Sequence, residues 1–457
     1  MRFFGFNRSL FTSARWFGGF FGLAFALFAM MPVHVTHAKK PRPVITAIAV
    51  EGDTAPDSGG ALFGFSDACP AFDINFTSFI FDEPQINESG DGAFIGCLDD
   101  NTAGIFTSIG GTLHAVVHTN ETVSAGTFSE EAFDWDGPAF STNGTLVFAA
   151  NDMECDPDCA AIFEKKSSGS LVAIVEDGTS VPGTSGGVFV DFDDLSINSS
   201  DEVSFIAEYT DDGFTTIKAG LFTRTDTGTI TNILLDGDTL PVPSGAGLFT
   251  ASSIFGGVAG CIDGPWIADD GSVSFEADCI DSGSAFEGSL FIKPATASIA
   301  RLVTRTGAGP KGSTISGISV GNAGLNSSGT SPLKLEFTGG KATNALIASL
   351  TVGGKPKICA KVAGKAPSTR GFFSDFSQPG ISNDGTMVFH SDIIRDSNNS
   401  NGIFTCKKGK KTAVVLDSDA RPDAGFFGTV EEESIRGKFV TFQDESFPEG
   451  VFKAQLP

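Results

Sequence analysis

The sequence predicts an all-β fold, a seven-bladed β-propeller of four-stranded blades whose last blade is completed by an N-terminal strand. Three observations point there. First, a unit recurs seven times around strand aromatics Phe94, Phe148, Phe205, Phe275, Phe337, Phe389 and Phe442, which lie 54, 57, 70, 62, 52 and 53 residues apart; periods of this size mark repeat architectures. Second, composition suits short strands and tight turns, with 56 Gly and 44 Phe but one Tyr. Third, the two ends of the chain carry fragments of one unit.

The unit is cleanest at Gly371–Asp423. Ile381-Ser382 ends its first strand (a). Asn383-Asp384-Gly385 is a tight turn, because Asn and Gly accept the positive φ of a short hairpin. Met387 and Phe389 share one face of the second strand (b), two residues apart. Gly402-Ile403-Phe404 marks the third strand (c), Lys408-Gly409-Lys410 a second turn, and Ala413–Leu416 the fourth strand (d). The strand c mark recurs as Gly104-Ile105-Phe106, Ala161-Ile162-Phe163, Gly220-Leu221-Phe222, Ser289-Leu290-Phe291, Ala348-Ser349-Leu350 and Gly450-Val451-Phe452.

The seventh unit stops after strand c, whereas Ile45–Val50 is an orphan d strand before the first unit. Pairing the two would close a ring and remove exposed sheet edges. The units then span approximately 58–123, 124–182, 183–241, 242–315, 316–370, 371–423, and 424–457 with 44–57. Together they form a single propeller domain over 39–457.

Residues 1–38 read as a secretory signal peptide. Arg2, Arg8 and Arg15 occur with no acid, Phe17–Val33 is apolar, and Thr36-His37-Ala38 offers small residues for cleavage. The leader carries three of the 30 basic residues, so the mature chain has 27 against 55 acids, a net of −28. This charge argues against nucleic acid and anionic membrane surfaces as partners. No later stretch is long and apolar enough to span a bilayer as a helix. The expectation is an exported monomer in the periplasm, on the cell surface or outside the cell.

Eight cysteines, all in the mature part, suit an oxidising compartment. The repeat register pairs Cys69 with Cys97 and Cys261 with Cys279, each flanking an a–b hairpin. Proximity pairs Cys155 with Cys159, and elimination leaves Cys359 with Cys406.

The hairpin Ile-Ser-Asn-Asp-Gly-Thr-Met-Val-Phe at 381–389 resembles the blade motif of TolB-type propellers. It is also similar to exported bacterial tandem-repeat proteins built on an Asn-x-x-Gly-x-x-x-Phe unit. Asn87, Gly90 and Phe94 fit that unit, whereas the third copy has Asn198 but Asp201 in place of Gly. The resemblance implies a propeller over nearly the whole mature chain and no common reaction.

Function on such a scaffold collects in the longer b–c and d–a loops of one face. Those loops are acidic, with Asp152, Glu208, Asp278, Asp392 and Asp444 just after the strand b Phe. Oxygen-rich loops can hold Ca²⁺. The candidate ligands are Asp152, Glu154, Asp156 and Asp158, in a loop held by the expected Cys155–Cys159 bridge. Solvated loop charge is the alternative. Enzyme signals are sparse: His114, His118 and His390 are the mature histidines, and no phosphate-binding Gly loop is apparent. The sequence therefore reads as an exported scaffold binding a protein, glycan or cation through acidic loops. A polysaccharide-acting propeller hydrolase or lyase, or a passive surface or matrix component, are the alternatives.

Overall fold

The computed structural model describes residues 42–64, 80–129, 137–154, 159–211, 213, 216–243, 245–253, 261–281, 288–305, 307–321, 324–340, 344–395, 398–423 and 425–457. The expected signal peptide, Cys69, Cys155, Asp156 and Asp158 lie outside them. Among the described residues no helix is long and apolar enough to cross a membrane.

The fold is all-β. Seven antiparallel sheets of four or five strands occur among the described residues, in chain order. Sheet one comprises Phe81–Ile86, Gly92–Cys97, Ala103–Ile109 and Thr112–His118. Sheet two is Ala139–Phe140, Leu146–Met153, Cys159–Lys165 and Leu171–Glu176. Sheet three is Val188–Ile197, Val203–Thr210, Ile217–Arg224 and Ile230–Leu235. Sheet four is Ile262–Ile267, Val273–Ala277, Ser289–Lys293 and Ala300–Thr304. Sheet five is Thr314–Ser319, Thr330–Thr338, Ala345–Thr351 and Lys357–Lys361. In sheet six, Phe372–Phe373 and Gly380–Ile381 both pair with Met387–Arg395, followed by Asn398–Lys407 and Lys410–Leu416. Sheet seven is Val430–Arg436, Phe439–Asp444, Gly450–Gln455 and, at its edge, the N-terminal Val44–Val50. Val44 lies opposite Gln455 and Val50 opposite Gly450.

The a–b turns of sheets one to six are built alike, whereas sheet seven turns through Gly437 and Lys438 alone. In sheets one, three and five an Asn opens it, and the Asn87, Asn198 and Asn326 side-chain oxygens each accept two backbone N–H groups at 2.9–3.1 Å. The position three residues later has positive φ throughout: Gly90, Gly144, Asp201, Gly271, Gly329 and Gly385. Asp201, at φ 57, is the non-glycine member and is of a type that tolerates this region. At Gly90 a second constraint applies, since a Cβ would lie 2.8 Å from the Phe439 ring of sheet seven. The turns also reach outward. Asn198 Nδ2 donates to the Ala268 carbonyl of the next sheet at 3.1 Å, and Asn326 Nδ2 to the Ser382 carbonyl at 3.3 Å.

The Phe of strand b stacks on the Phe of strand c directly opposite it. Phe94–Phe106, Phe148–Phe163, Phe205–Phe222, Phe275–Phe291, Phe389–Phe404 and Phe442–Phe452 have interplanar angles of 19–25°. The Gly two residues before the strand c Phe makes room for the ring and for strand d. At Gly104, for instance, a Cβ would lie 2.7 Å from the Val117 carbonyl oxygen. Sheet five corrects the sequence register. Its turn Asn326–Gly329 places Leu333, not Phe337, at the equivalent site, opposite Ala348. Leu333 lies 58 residues after Phe275 and 56 before Phe389, more even than the spacing through Phe337.

Apolar clusters lie between successive sheets. Phe94 packs with Ala49 and Val451 of sheet seven, and Phe442 with Val388 and Ile403 of sheet six. The Phe residues are thus inter-sheet wedges. Two smaller sheets have no counterpart in the repeat reading. One joins Thr239–Val242, Gly245–Phe249 and Ile280–Asp281, and the other is the hairpin Thr122–Val123 with Gly126–Thr127.

Cys261 is bonded to Cys279, pinning the open end of the sheet four hairpin, and Cys359 to Cys406, tying strand d of sheet five to strand c of sheet six. Cys97 and Cys159 are also disulfide-bonded.

Two outcomes follow for stability. Asn198→Ala or Asn326→Ala should each cost about 1–3 kcal/mol in urea denaturation, because buried donors lose their acceptor and an inter-sheet bond goes with it. An effect within error of zero would show that the turns close without the amide. Replacing Cys359 and Cys406 together by Ser should cost about 2–4 kcal/mol, since that bond closes a long loop in the unfolded chain. An unchanged denaturation midpoint would contradict this.

Candidate functional site

Strand a is irregular where the other strands are regular. Register shifts fall at Asp82/Gln85, Asp193/Leu195, Asp263/Trp266, Ile315/Gly317 and Glu431/Ser434. A bulge re-aims the side chain it carries, and acids stand at four of these five. The bulged strands line one cavity of about 250 Å³, to which every sheet contributes: Gln85, Phe140, Asp194, Asp263, Val320, Gln378 and Arg436. Glu83, at φ +45, and Trp266 complete the wall. Gly264 has no room for a side chain, since its Cβ would lie 2.1 Å from the Trp266 ring.

Three carboxyl groups, from Glu83, Asp194 and Asp263, face this space against one guanidinium, Arg436. Asp194 Oδ2 accepts the Gly264 N–H at 2.7 Å, which joins the bulges of sheets three and four. Asp263 is also hydrogen-bonded to the Asp194 side chain. Asp263 as a residue is exposed, but desolvation of its carboxyl, then the charges of Asp278 and Asp193, push it above the usual range. Its cross-strand partner Glu276 is pushed up to about 8 by burial and by Asp263. Arg305 moderates the group from outside, 3.6 Å from Glu276 and in an ion pair with Asp278.

Toward the a–b turns lies a separate, smaller cavity of about 10 Å³ that shares Phe140, Ile197 and Arg436 with the first. There Asn383 Nδ2 donates to Glu88 Oε1 at 3.1 Å and to Asp269 Oδ2 at 2.9 Å, joining sheets six, one and four. Burial holds Arg436 below the ordinary arginine value, and the charges of Asp269 and Glu88 oppose that shift. The turns therefore form a floor of paired charge beneath an acidic chamber.

The proposed calcium loop is described in part. Glu154 is exposed and exchanges backbone hydrogen bonds with Thr127. Asp152 belongs to the strand Leu146–Met153, and the described residues do not include its side chain. Among the described residues no group of three or more His, Cys, Asp or Glu is arranged to hold a metal. Asp444, expected among the loop acids, is instead fully buried, 2.8 Å from Arg421. That guanidinium lies over the Phe452 ring at 4.8 Å. His118 Nε2 lies 3.2 Å from the Pro56 carbonyl, and His390 is pushed down by burial.

The chamber residues were absent from the sequence reading. A signal did exist: Glu83-Pro84 and Asp263-Gly264-Pro265 place Pro and Gly inside strand a, where they mark a bulge.

The model of the Family of unknown function (DUF7453) matches residues 46–256 and again 250–447. The chain belongs to this family. Two consecutive matches divide the member between sheets three and four, in keeping with internal repetition. No curated protein matches the chain. Solved structures with a similar course include an oligogalacturonate lyase in complex with manganese. It is 12% identical, with TM-score 0.46, over 91% of this chain and 98% of that one. The β-propeller domain of the Trilobed protease from Pyrococcus furiosus is 9% identical, with TM-score 0.46, over 82% and 94%. The Dos1 propeller is 12% identical, with TM-score 0.38, over 84% and 93%.

A second acidic group lies on sheet seven. Glu433 accepts the His390 N–H at 2.6 Å and the Ser377 hydroxyl at 2.8 Å. Glu449 accepts the Ile80 N–H at 2.9 Å. Glu433, Glu445 and Glu449 are each pushed up to about 7, foremost by burial. Such groups hold protons in the fold that the unfolded chain has released. Their contribution is full below the unfolded value near 4.5 and is lost as pH rises through about 7. The melting temperature should therefore fall between pH 5 and pH 8, and Glu445→Gln should flatten part of that fall. A curve that rises over this interval would contradict the assignment.

Proposed function

We propose that the protein is an exported, seven-bladed propeller that binds a small cationic group, an ammonium or guanidinium, in the acidic chamber at its axis. The observation that carries this reading is the wall of Glu83, Asp194 and Asp263 with a single opposed guanidinium, around a cavity of about 250 Å³. Carboxylates brought together repel one another, and a bound cation relieves that cost. The volume suits a small ligand or the tip of a larger one.

The ring is part of the same reading. Its support is the seven sheets, the apolar cluster between sheets seven and one, and Val44–Val50 on the edge of sheet seven. The disulfides support export. A calcium ion at the 152–158 loop is a separate proposal, tested by calorimetry with calcium and with chelator.

Calorimetric titration of the mature chain with agmatine, and with uncharged and anionic compounds of similar size, tests the chamber. Agmatine should bind and raise the melting temperature. Affinity should rise with pH as Asp263 ionises, and Asp263→Asn should weaken it by about tenfold or more, near 1.4 kcal/mol. Equal binding by the variant, or a preference for the uncharged compound, would sink the proposal.

The polysaccharide-acting alternative is favoured by Glu276, a carboxyl that holds its proton at neutral pH beside Asp263. Release of reducing ends or of unsaturated sugars from a polysaccharide panel, lost in Glu276→Gln, would establish it.

A further inference from the structure

Charge is not spread evenly along the chain. Residues 288–411 hold sixteen Lys and Arg against five Asp and Glu, whereas the rest of the chain after residue 38 holds eleven against fifty. Sheets five and six therefore fall in a cationic sector of an acidic protein. Between them, on the side of the a–b and c–d turns, lies a groove of about 480 Å³. Ile381, Met387 and Cys359 form its apolar floor, and Cys359 is bonded there to Cys406 of sheet six. Lys357, Lys407 and Lys408 line the rim beside Ile358, which is 55% exposed. Lys355, Lys410 and Lys411 adjoin them in the two c–d connections. Lys411 pairs with Cys406, so it stands on the face that the disulfide joins to sheet five.

Asp384, the acid among the lining residues, is already held by Lys407 at 2.6 Å. Lys355, Lys357, Lys408, Lys410 and Lys411 form no ion pair among the described residues. Edge protection does not account for them. Lysine on an outer strand deters pairing with another sheet, yet Thr112–His118, Leu171–Glu176, Ile230–Leu235 and Ala300–Thr304 hold that position without one. Turn geometry does not call for Lys408 either. It stands at φ +51, where the matching c–d turn of sheet one has Gly110, and a residue with a Cβ is disfavoured there.

From this arrangement we infer that the groove between sheets five and six binds an acidic peptide segment of a partner protein, with an apolar side chain on the floor and carboxylates on the surrounding lysines. Lysine is a point charge on a flexible stem, which suits carboxylates on a mobile chain, whereas a fixed oxyanion fork would call for arginine. No arginine lines the groove. Its amide and hydroxyl groups are spent on the turns: Asn326 and Asn383 bond to neighbouring turns, and Ser328 to Asn326 and Thr330. Little is left for sugar hydroxyls, and no aromatic ring lines the groove to stack on a base. The protein's overall field repels anions, so the lysines act locally, within a Debye length of about 8 Å at physiological salt. No residue of the chamber wall lines this groove, so the two sites stand or fall separately.

The test is calorimetric titration of the mature chain with five probes: a dodecapeptide of Glu and Asp carrying two Leu, the same peptide with Ser for Leu, the same with Gln and Asn for the acids, a uronic-acid tetrasaccharide, and oligothymidylate. The acidic leucine peptide should bind, its serine analogue about threefold more weakly, and the other probes about tenfold more weakly or less. Its affinity should fall by about tenfold or more between 50 and 500 mM NaCl. Lys355→Gln, Lys357→Gln, Lys408→Asn, Lys410→Gln and Lys411→Gln together should lower it by about tenfold or more without lowering the melting temperature, since Asn tolerates the turn conformation at 408. Ile358→Thr, at an exposed site, should bring the leucine peptide down to the affinity of its serine analogue. Light scattering of the chain alone reports whether a second copy is the occupant. An oligomer that the lysine variant abolishes, equal binding of either altered peptide, equal binding of the tetrasaccharide or oligothymidylate, undiminished binding by the lysine variant, or no binding of the acidic peptide at millimolar concentration would each overturn the inference.

Discussion

The a–b turn is the constraint on which the rest depends. A four-stranded sheet cannot bury its two faces alone, so each must be held at a fixed distance and angle from its neighbours. The turn does this with one side chain. Asn198 closes its own hairpin with its oxygen and reaches the Ala268 carbonyl, at the equivalent position one repeat on, with its nitrogen. Asn326 does the same toward Ser382. At the next position Ser199 donates its N–H to Asp269, and Ser327 to Asn383. Local turn chemistry and sheet-to-sheet spacing are thus one interaction, and both Asn side chains are buried where an unmade bond is costly.

Once the turns fix the spacing, the aromatic pairs fill it. Close approach of the strand c ring and of strand d leaves little room two residues before the strand c Phe, a position held by Gly104, Gly220, Gly402 and Gly450 in four sheets and by Ala161 and Ser289 in two. Strand d answers with a register shift opposite this position in sheets one to six, as between Ile105 and Phe106 or Ile403 and Phe404. Strand a is the remaining element free to deviate. Its bulges turn acids into the shared chamber while strands b to d keep the core. Core packing and the chamber wall are therefore divided between strands of one sheet.

That division explains what the sequence could and could not disclose. Phe94, Phe148 and Phe389 announce strand b because the core demands the same residue at each repeat. Sheet five shows the limit of that signal. Leu333 opposite Ala348 fills the slab with aliphatic volume, and the nearby Phe337 imitates the missing aromatic four residues late. The strand a acids follow no repeat, since each bulge differs in length and residue type. They become visible only once pairing shows which residue is unpaired. Asp444 misled for a related reason. It follows strand b like the loop acids, but Arg421, two residues past Asp419, reaches back to neutralise it.

Charge is distributed by the same logic. An acid on an exposed loop keeps its hydration and costs the fold little, as with Glu154. A buried acid must find a partner or keep a proton. Arg421 gives Asp444 the first solution, and Glu276 and Glu433 adopt the second. At the chamber, Arg436 stands beside Glu83, Asp194 and Asp263 and feels the charges of Asp269 and Glu88 at the floor.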